Sequence, residues 1–212
     1  MTTKKKFIYN LLVFIKKLSN FEQICEHEKE ILMKIEEKNW SKTLLFAYGH
    51  LETICGAIDK TVLSCGLGSS SAFFDTEYVA NRMINLIERK KFLINLKLIV
   101  DKAFSNMKSK YARVLMLKYI DCVDSKLASE VMKTSTRTFF RQINAGLQNF
   151  WESLNKIGYG LDEIKKLLKN EQWILEIYNS LMQKTVKEDE MNNFGVLGIA
   201  FKQIKQNNFK MA

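Results

Sequence analysis

Residues 110–157 read KYARVLMLKYIDCVDSKLASEVMKTSTRTFFRQINAGLQNFWESLNKI. Apolar side chains recur at helical spacing in this stretch, which predicts three helices, at 111–119, 126–132 and 136–155. Asp124 or Ser125 can cap the second helix, and Ser135 can cap the third. A short helix, a tight turn at Lys133-Thr134 and a longer helix form the plan of a helix-turn-helix.

The third of these helices has two different faces. Phe139, Ile143, Leu147 and Phe150 follow one another at spacings of four, four and three, which predicts an apolar stripe that packs inward. The residues that fall mainly elsewhere on its first two turns are Thr136, Arg137, Phe140, Arg141 and Asn144. In helix-turn-helix proteins the N-terminal part of the last helix enters the major groove and meets base edges.

These residue types suit the chemistry of a DNA groove. Arginine can donate two hydrogen bonds to guanine, asparagine can pair with adenine, and Ser or Thr can contact phosphates or thymine methyl groups. Backbone amides at a helix N-terminus add a site for a phosphate. The predicted DNA-binding residues are Lys126, Lys133, Thr134, Ser135, Thr136, Arg137, Thr138, Phe140, Arg141 and Asn144.

The charge of the chain points to the same class of partner. The sequence has 33 Lys+Arg and 23 Asp+Glu, a net charge of +10, and basic groups displace the counterions that condense on phosphate backbones. Residues 105–157 contain nine Lys/Arg and four Asp/Glu, and no acidic residue lies between Thr134 and Trp151. Double-stranded DNA is therefore the predicted partner.

Catalytic chemistry has little support in the sequence. His27 and His50 are the only histidines, and neither lies in a catalytic or zinc-binding pattern. The four cysteines contain no C-x-x-C pair, which predicts reduced thiols and a cytoplasmic location. We expect a non-enzymatic protein with no catalytic residues, no metal and no cofactor.

Part of the chain resembles a known group of transcription proteins. The string LKYI at 117–120, followed by ASEVMKTSTRTFFR at 128–141, resembles region 4 of sigma-70-type factors, and even more the phage late-transcription regulators of the ArpU and RinA type. AGLQNF at 145–150 approximates the continuation of that pattern. The resemblance covers roughly residues 45–157. It implies promoter binding through residues 125–155.

Two residues depart from the pattern of these families. Ser129 stands where they usually have Ala in the packed second helix, and Lys133 stands where a Gly is common in the turn. No aromatic-rich region of the kind that melts promoter DNA is evident either. Two modes of action therefore stay open: a sigma-like factor that binds core RNA polymerase, and an activator that binds DNA as an oligomer. A helical protein-interaction scaffold without DNA binding is the alternative from a different class.

The rest of the chain predicts an all-α, multi-helix protein whose helix-turn-helix lies in the C-terminal half. Proline is absent, and no alternating strand pattern of useful length occurs. Outside residues 105–157 helices are predicted at 21–40, at 41–65 with Ser41 as its cap, at 76–104 as a candidate spine, and at 161–184. The predicted division is an N-terminal helical region (1–104), a DNA-binding domain (105–157) and a C-terminal helix with a tail (158–212).

Both ends of the chain carry short apolar segments. Residues 1–17 are basic and then apolar, but the apolar run is too short to span a bilayer and no cleavage site follows, which predicts an amphipathic helix and no membrane insertion. Residues 194–201 form a second apolar segment that could dock on a partner such as polymerase.

Overall fold

A computed structural model describes residues 32–67 and 75–183, and all of their regular secondary structure is helical. The all-α prediction is therefore confirmed. The helices are α1 (32–48), α2 (Leu51–Leu67), α3 (Thr76–Ser105), α4 (Ser109–Leu115), α5 (Ser125–Val131), α6 (Thr136–Lys156), α7 (Leu161–Leu168) and α8 (Gln172–Met182). The chain forms two compact units, residues 1–38 and 39–212, and the hydrophobic core lies in the second.

Helix α1 is the central helix of this core. Its side chains from Trp40 to Ala47 are almost all buried, so it contacts neighbours around most of its circumference. Trp40 stacks on Tyr178 of α8 with ring centroids 4.1 Å apart, and Phe46 meets Tyr119 edge to face at 5.0 Å. α1, and not the long helix α3, is thus the spine of the protein.

The break between α1 and α2 lies at Gly49-His50 and not at Ser41. Ser41 is fully buried within α1 and donates a hydrogen bond to the Leu147 carbonyl of α6 at 3.5 Å, so the predicted cap is wrong. Gly49 lies against the backbone of Ile120, whose Cα would be 3.4 Å from an added Cβ. The chain turns where a side chain would meet this distant segment, which a local capping rule does not reveal.

Helices α2 and α3 are joined by ion pairs along their length. Lys90 of α3 contacts Asp59 of α2 at 2.6 Å, and Lys97 pairs with Glu52. At the far end of α3 the Tyr48 hydroxyl donates to Asp101 Oδ1 at 2.5 Å, and burial with this carboxylate raises the pKa of Tyr48. The start and end of α3 agree with the predicted helix over 76–104.

The single helix predicted over 161–184 is instead two helices, α7 and α8, and that prediction is wrong. The chain breaks at residues 169–171 because Glu171 turns into the core, where it is buried. Its Oε2 accepts hydrogen bonds from Trp173 Nε1 at 2.8 Å and from Arg89 Nη2 of α3 at 3.2 Å. This carboxylate therefore ties α8 to α3.

Residues 105–157 share one core with the helices before and after them. Buried side chains of this core extend from Trp40 to Leu181. The predicted division at 104/105 and 157/158 stays a prediction. The predicted segments 1–17 and 194–201 lie outside the described residues. Among the helices that are described, none is both long and apolar enough to cross a membrane.

Candidate nucleic-acid interface

Three helical segments, α4, α5 and α6, occupy the stretch for which the sequence predicts a helix-turn-helix. α4 continues into a single π-helical segment, Met116–Ile120, which turns Tyr119 into the core. α4 packs closely on α6, where the Leu115 side chain lies 3.2 Å from the position that a Cβ on Gly146 would take. α5 packs on α6 through the buried residues Ala128 and Phe139. The π-helical segment is a feature that periodicity did not predict.

The N-terminus of α5 is capped as predicted. The Asp124 carboxylate accepts a hydrogen bond from the Lys126 amide at 2.9 Å. Ser125 follows as the first residue of the helix, and its Oγ accepts from Lys118 Nζ at 3.1 Å. Asp124 is therefore the cap, which satisfies one of the unpaired amides of the first turn. Lys118 connects the π-helical segment to α5.

The turn between α5 and α6 is a Schellman motif centred on Lys133. The Thr134 amide donates to the Ser129 carbonyl at 3.0 Å, and the Lys133 amide donates to the Glu130 carbonyl at 2.9 Å. This pattern requires a left-handed residue after the helix, and Lys133 has φ 52°. A positive φ at this position favours Gly, so Lys133 adopts a conformation that is costly for its side chain.

Ser129 fits the packed side of α5 despite its hydroxyl. It is 3% exposed, and its Oγ donates to the Lys126 carbonyl at 2.7 Å. The same oxygen lies 3.4 Å from Thr136 Oγ1 at the start of α6. A buried hydroxyl costs little when it is hydrogen-bonded. A Ser at position 129 is therefore compatible with close packing of the two helices.

Helix α6 begins at the predicted cap. The Ser135 side chain accepts a hydrogen bond from the Thr138 amide at 3.2 Å, and its hydroxyl donates to Thr138 Oγ1 at 2.9 Å. No acidic residue occupies the first turn. The remaining first-turn amides and the positive end of the helix dipole thus form a surface that favours an anion.

Most of the predicted DNA-binding side chains are exposed on this surface. The exposed residues are Lys126, Lys133, Ser135, Thr136, Arg137, Phe140, Arg141 and Asn144. Thr134 and Thr138 are partly buried, and the Thr138 hydroxyl already takes part in the cap. Their side chains are therefore less accessible than the sequence suggested.

Three of the exposed residues lie along one line on α6. Arg137, Arg141 and Asn144 are spaced by four and three residues, so they share one side of the helix. At a rise of about 1.5 Å per residue they span about 10 Å. This length corresponds to about three base pairs at a rise of about 3.4 Å each, and the major groove is wide enough to admit an α-helix. The opposite side of α6 carries the predicted apolar stripe, and Phe139, Ile143, Leu147 and Phe150 are all buried.

The same surface includes residues that the sequence did not single out. Gln148 is exposed one turn after Asn144, and its amide donates to Glu152 at 3.2 Å. Its spacing of four residues from Asn144 is the sequence signal that places it on the same side of α6. Leu127 and Val131 are exposed on α5, and they were missed because apolar residues at helical spacing usually indicate a core.

Apolar and electrostatic features complete the site. Phe140 is 48% exposed between Arg137 and Asn144 on the outer side of α6, and its ring lies edge-on to the buried Phe139 at 6.3 Å. Cys122, in the connection before α5, is half-buried with φ 51°. Burial raises the pKa of its thiol, so the thiol stays protonated near neutral pH.

Comparison of the chain with known protein families, with curated proteins and with solved structures finds no match. A function can therefore be argued only from the charge, exposure and geometry of the residues themselves.

Proposed function

We propose that this protein is a sequence-specific DNA-binding transcription regulator that inserts the N-terminal half of α6 into the major groove. The observation that carries the proposal is the exposed line of Arg137, Arg141 and Asn144 on a helix that has no acidic residue between Thr134 and Trp151. A solvated helix face usually mixes both signs of charge, whereas a surface that meets phosphates excludes acidic groups.

Each part of the surface has a chemical task in this proposal. Arg137 and Arg141 donate paired hydrogen bonds to guanine edges, and Asn144 pairs with an adenine. Phe140 contacts a thymine methyl group, because this methyl is the apolar group that the major groove offers to an exposed ring. Lys126 and Lys133 neutralise phosphates on the flanking backbone, which fixes the register of the helix without reading sequence.

The capped start of α6 holds the reading residues in register with the backbone. A phosphate at the first-turn amides would lie beside Arg137, which belongs to the same turn, and about one helical turn from Arg141. The Schellman turn fixes the direction of α6 relative to α5, so phosphate contacts from Lys133 and base contacts from α6 are made together. In this arrangement the phosphate contacts supply affinity, and the adjacent base contacts supply specificity.

The likeness of residues 117–141 to sigma region 4 and to ArpU and RinA-type regulators favours action at promoters together with RNA polymerase. A sigma-like factor binds core polymerase and directs it to promoters, whereas an activator binds upstream DNA by itself. Mixing the purified chain with core polymerase separates the two modes. A sigma-like protein co-purifies with the core and supports initiation at a defined start site, and an activator does neither without another sigma factor.

The DNA-binding proposal is tested by selecting bound sequences from random duplexes. We expect an enriched site that binds at least about a thousandfold more tightly than non-specific DNA, with an affinity that falls steeply as salt increases. Enrichment of no sequence, together with weak or salt-insensitive binding to duplex DNA, would instead support the helical scaffold.

A further inference from the structure

Helix α3 carries a second apolar face that the core does not use. Ile84, Ile87, Ile94 and Leu98 have exposed fractions of 51%, 53%, 44% and 59%. With Lys91 in the middle they follow the alternating spacing of three and four that coiled-coil seams use. The stripe is about 21 Å long at the rise of an α-helix. We refer to these five residues as the α3 stripe.

The α3 stripe lies on the opposite side of the helix from the core-facing residues. Those residues are Leu93, Leu96, Val100 and Ala103. With about 100° of rotation per residue, the two sets project in nearly opposite directions. Aliphatic side chains on two opposite sides are typical of a helix that packs between two partners. Among the described residues, the core and α2 cover only one of these sides.

The apolar surface extends from the α3 stripe onto α2. Ile94 and Leu98 form one wall of a groove of about 290 Å³, which Leu51 and Cys55 of α2 complete. At the other end of the hairpin Leu63 and Leu67 of α2 are 61% and 85% exposed. Glu52, Lys97 and Asp101 also line the groove, so charged groups border its apolar walls. Exposed apolar side chains that are grouped and rimmed by polar residues mark an interaction site.

We propose that the α3 stripe binds the same stripe of a second copy of this chain, with the two α3 helices antiparallel. The heptad spacing calls for a helix as partner. On this side of α3 the exposed charge near the N-terminal end of the helix is acidic, at Glu77, and the one near its C-terminal end is basic, at Lys102. An antiparallel pair brings the acidic end of each copy to the basic end of the other, whereas a parallel pair brings like charges together.

The composition of the α3 stripe sets the strength of this association. Four half-exposed aliphatic side chains per copy are a smaller contact than the roughly 800 Å² per partner of a standard interface. Lys91 lies near the middle, where a two-fold axis would pass, and a charged residue in such a seam fixes the register at a cost in affinity. The dimer therefore forms in the micromolar range. This inference does not depend on DNA binding.

Sedimentation of the full chain without DNA tests the proposal. The wild type should change from 24.7 kDa to twice that mass as its concentration increases through the micromolar range. The variant Ile87→Lys/Ile94→Lys should stay monomeric, because it places charges at the two seam positions that flank Lys91. Met116→Lys is the matched control, since Met116 is 44% exposed like Ile94 but lies outside α3. Helical content and Tm confirm that each variant is folded.

Two further variants test the orientation and the role of Lys91. Lys91→Leu should tighten dimerisation at least about tenfold, since it removes the charge from the seam. Glu77→Lys should weaken the dimer, since Glu77 lies within one turn of Lys102 of the other copy when the antiparallel pair is centred on Lys91, and adding Lys102→Glu to it should restore the dimer only if the helices are antiparallel. A wild type that stays monomeric at about 300 µM, or a dimer that Ile87→Lys/Ile94→Lys leaves intact, would overturn the proposal. Failure of the charge swap to restore a weakened dimer would overturn the antiparallel arrangement.

Discussion

Ser135 Oγ accepts the amide hydrogen of Thr138 at 3.2 Å, and this contact fixes where helix α6 begins. The two hydroxyls of these residues are also hydrogen-bonded, at 2.9 Å. One side chain thus caps α6 and stands at the edge of the surface that we propose meets a phosphate. Its roles in stability and in binding can be separated by changing its charge while the cap is kept.

Ser135→Asp should preserve the fold and reduce DNA binding. Asp is as good an N-cap as Ser and interacts favourably with the helix dipole, so the free energy of unfolding should change by less than about 0.5 kcal/mol. The added negative charge repels a phosphate at the same point, and affinity should fall at least about tenfold. Ser135→Asn, which keeps the cap without the charge, is the control. Equal affinities for the Asp and Asn variants would mean that no phosphate binds at this site.

Lys133→Gly should make the protein more stable while weakening its DNA binding. Lys133 has φ 52°, a conformation that costs a non-glycine residue roughly 1 kcal/mol. Relief of this strain should raise Tm, and loss of one phosphate contact should reduce the slope of log affinity against log salt by about one. Lys126→Ala removes a helical cation, so it should lower the slope similarly without raising Tm. A Tm that falls in Lys133→Gly would contradict the assigned turn geometry.

Glu171→Ala should destabilise the protein strongly. The buried carboxylate accepts hydrogen bonds from Trp173 Nε1 and from Arg89, and its removal leaves both donors without an acceptor. We expect a loss of about 2–4 kcal/mol in chemical denaturation. Glu152→Ala is the comparison because Glu152 is exposed, and it should cost less than about 0.5 kcal/mol. Similar losses in the two variants would mean that the connection between α3 and α8 contributes little.

The protein should lose stability on mild acidification through His50. Burial lowers the pKa of His50 below its ordinary value of 6.5. As the pH falls below 6.5 the unfolded chain binds this proton before the folded protein does, so unfolding becomes easier; above 6.5 the contribution of His50 is complete. Denaturation midpoints measured from about pH 7.5 to about pH 5.5 should decline in the wild type. His50→Gln should show a shallower decline, and an unchanged slope would exclude His50 as its source.

The elements that local sequence predicts well are those with their own capping residues. The caps Asp124 and Ser135 place the starts of α5 and α6 within a residue or two, because each cap acts through hydrogen bonds to its own helix end. The two-faced pattern of α6 also predicts which side of that helix is buried. The exposure of Arg137, Arg141 and Asn144 follows from that division.

Helix breaks that depend on contacts with distant residues are not predicted by local capping and periodicity. Gly49 ends α1 against the backbone of Ile120, and Glu171 separates α7 from α8 to reach Arg89 and Trp173. Ile120 and Arg89 are both distant in sequence from the breaks that they stabilise, so the apolar periodicity predicts continuous helices through both breaks. The exposure of one face of α3 is also not predicted, because aliphatic residues on both sides of a helix usually indicate a buried helix.

DNA binding by Arg137→Ala/Arg141→Ala, measured over a series of salt concentrations on the selected duplex, tests the central claim most directly. A matched variant, Lys60→Ala/Lys156→Ala, removes the same charge from exposed positions in α2 and in the last turn of α6. We predict that the arginine variant loses at least about 30-fold in affinity and its preference for the selected site, whereas the lysine variant loses less than about threefold. Equal losses in the two variants, or no loss in either, would contradict the assignment of α6 as the recognition helix.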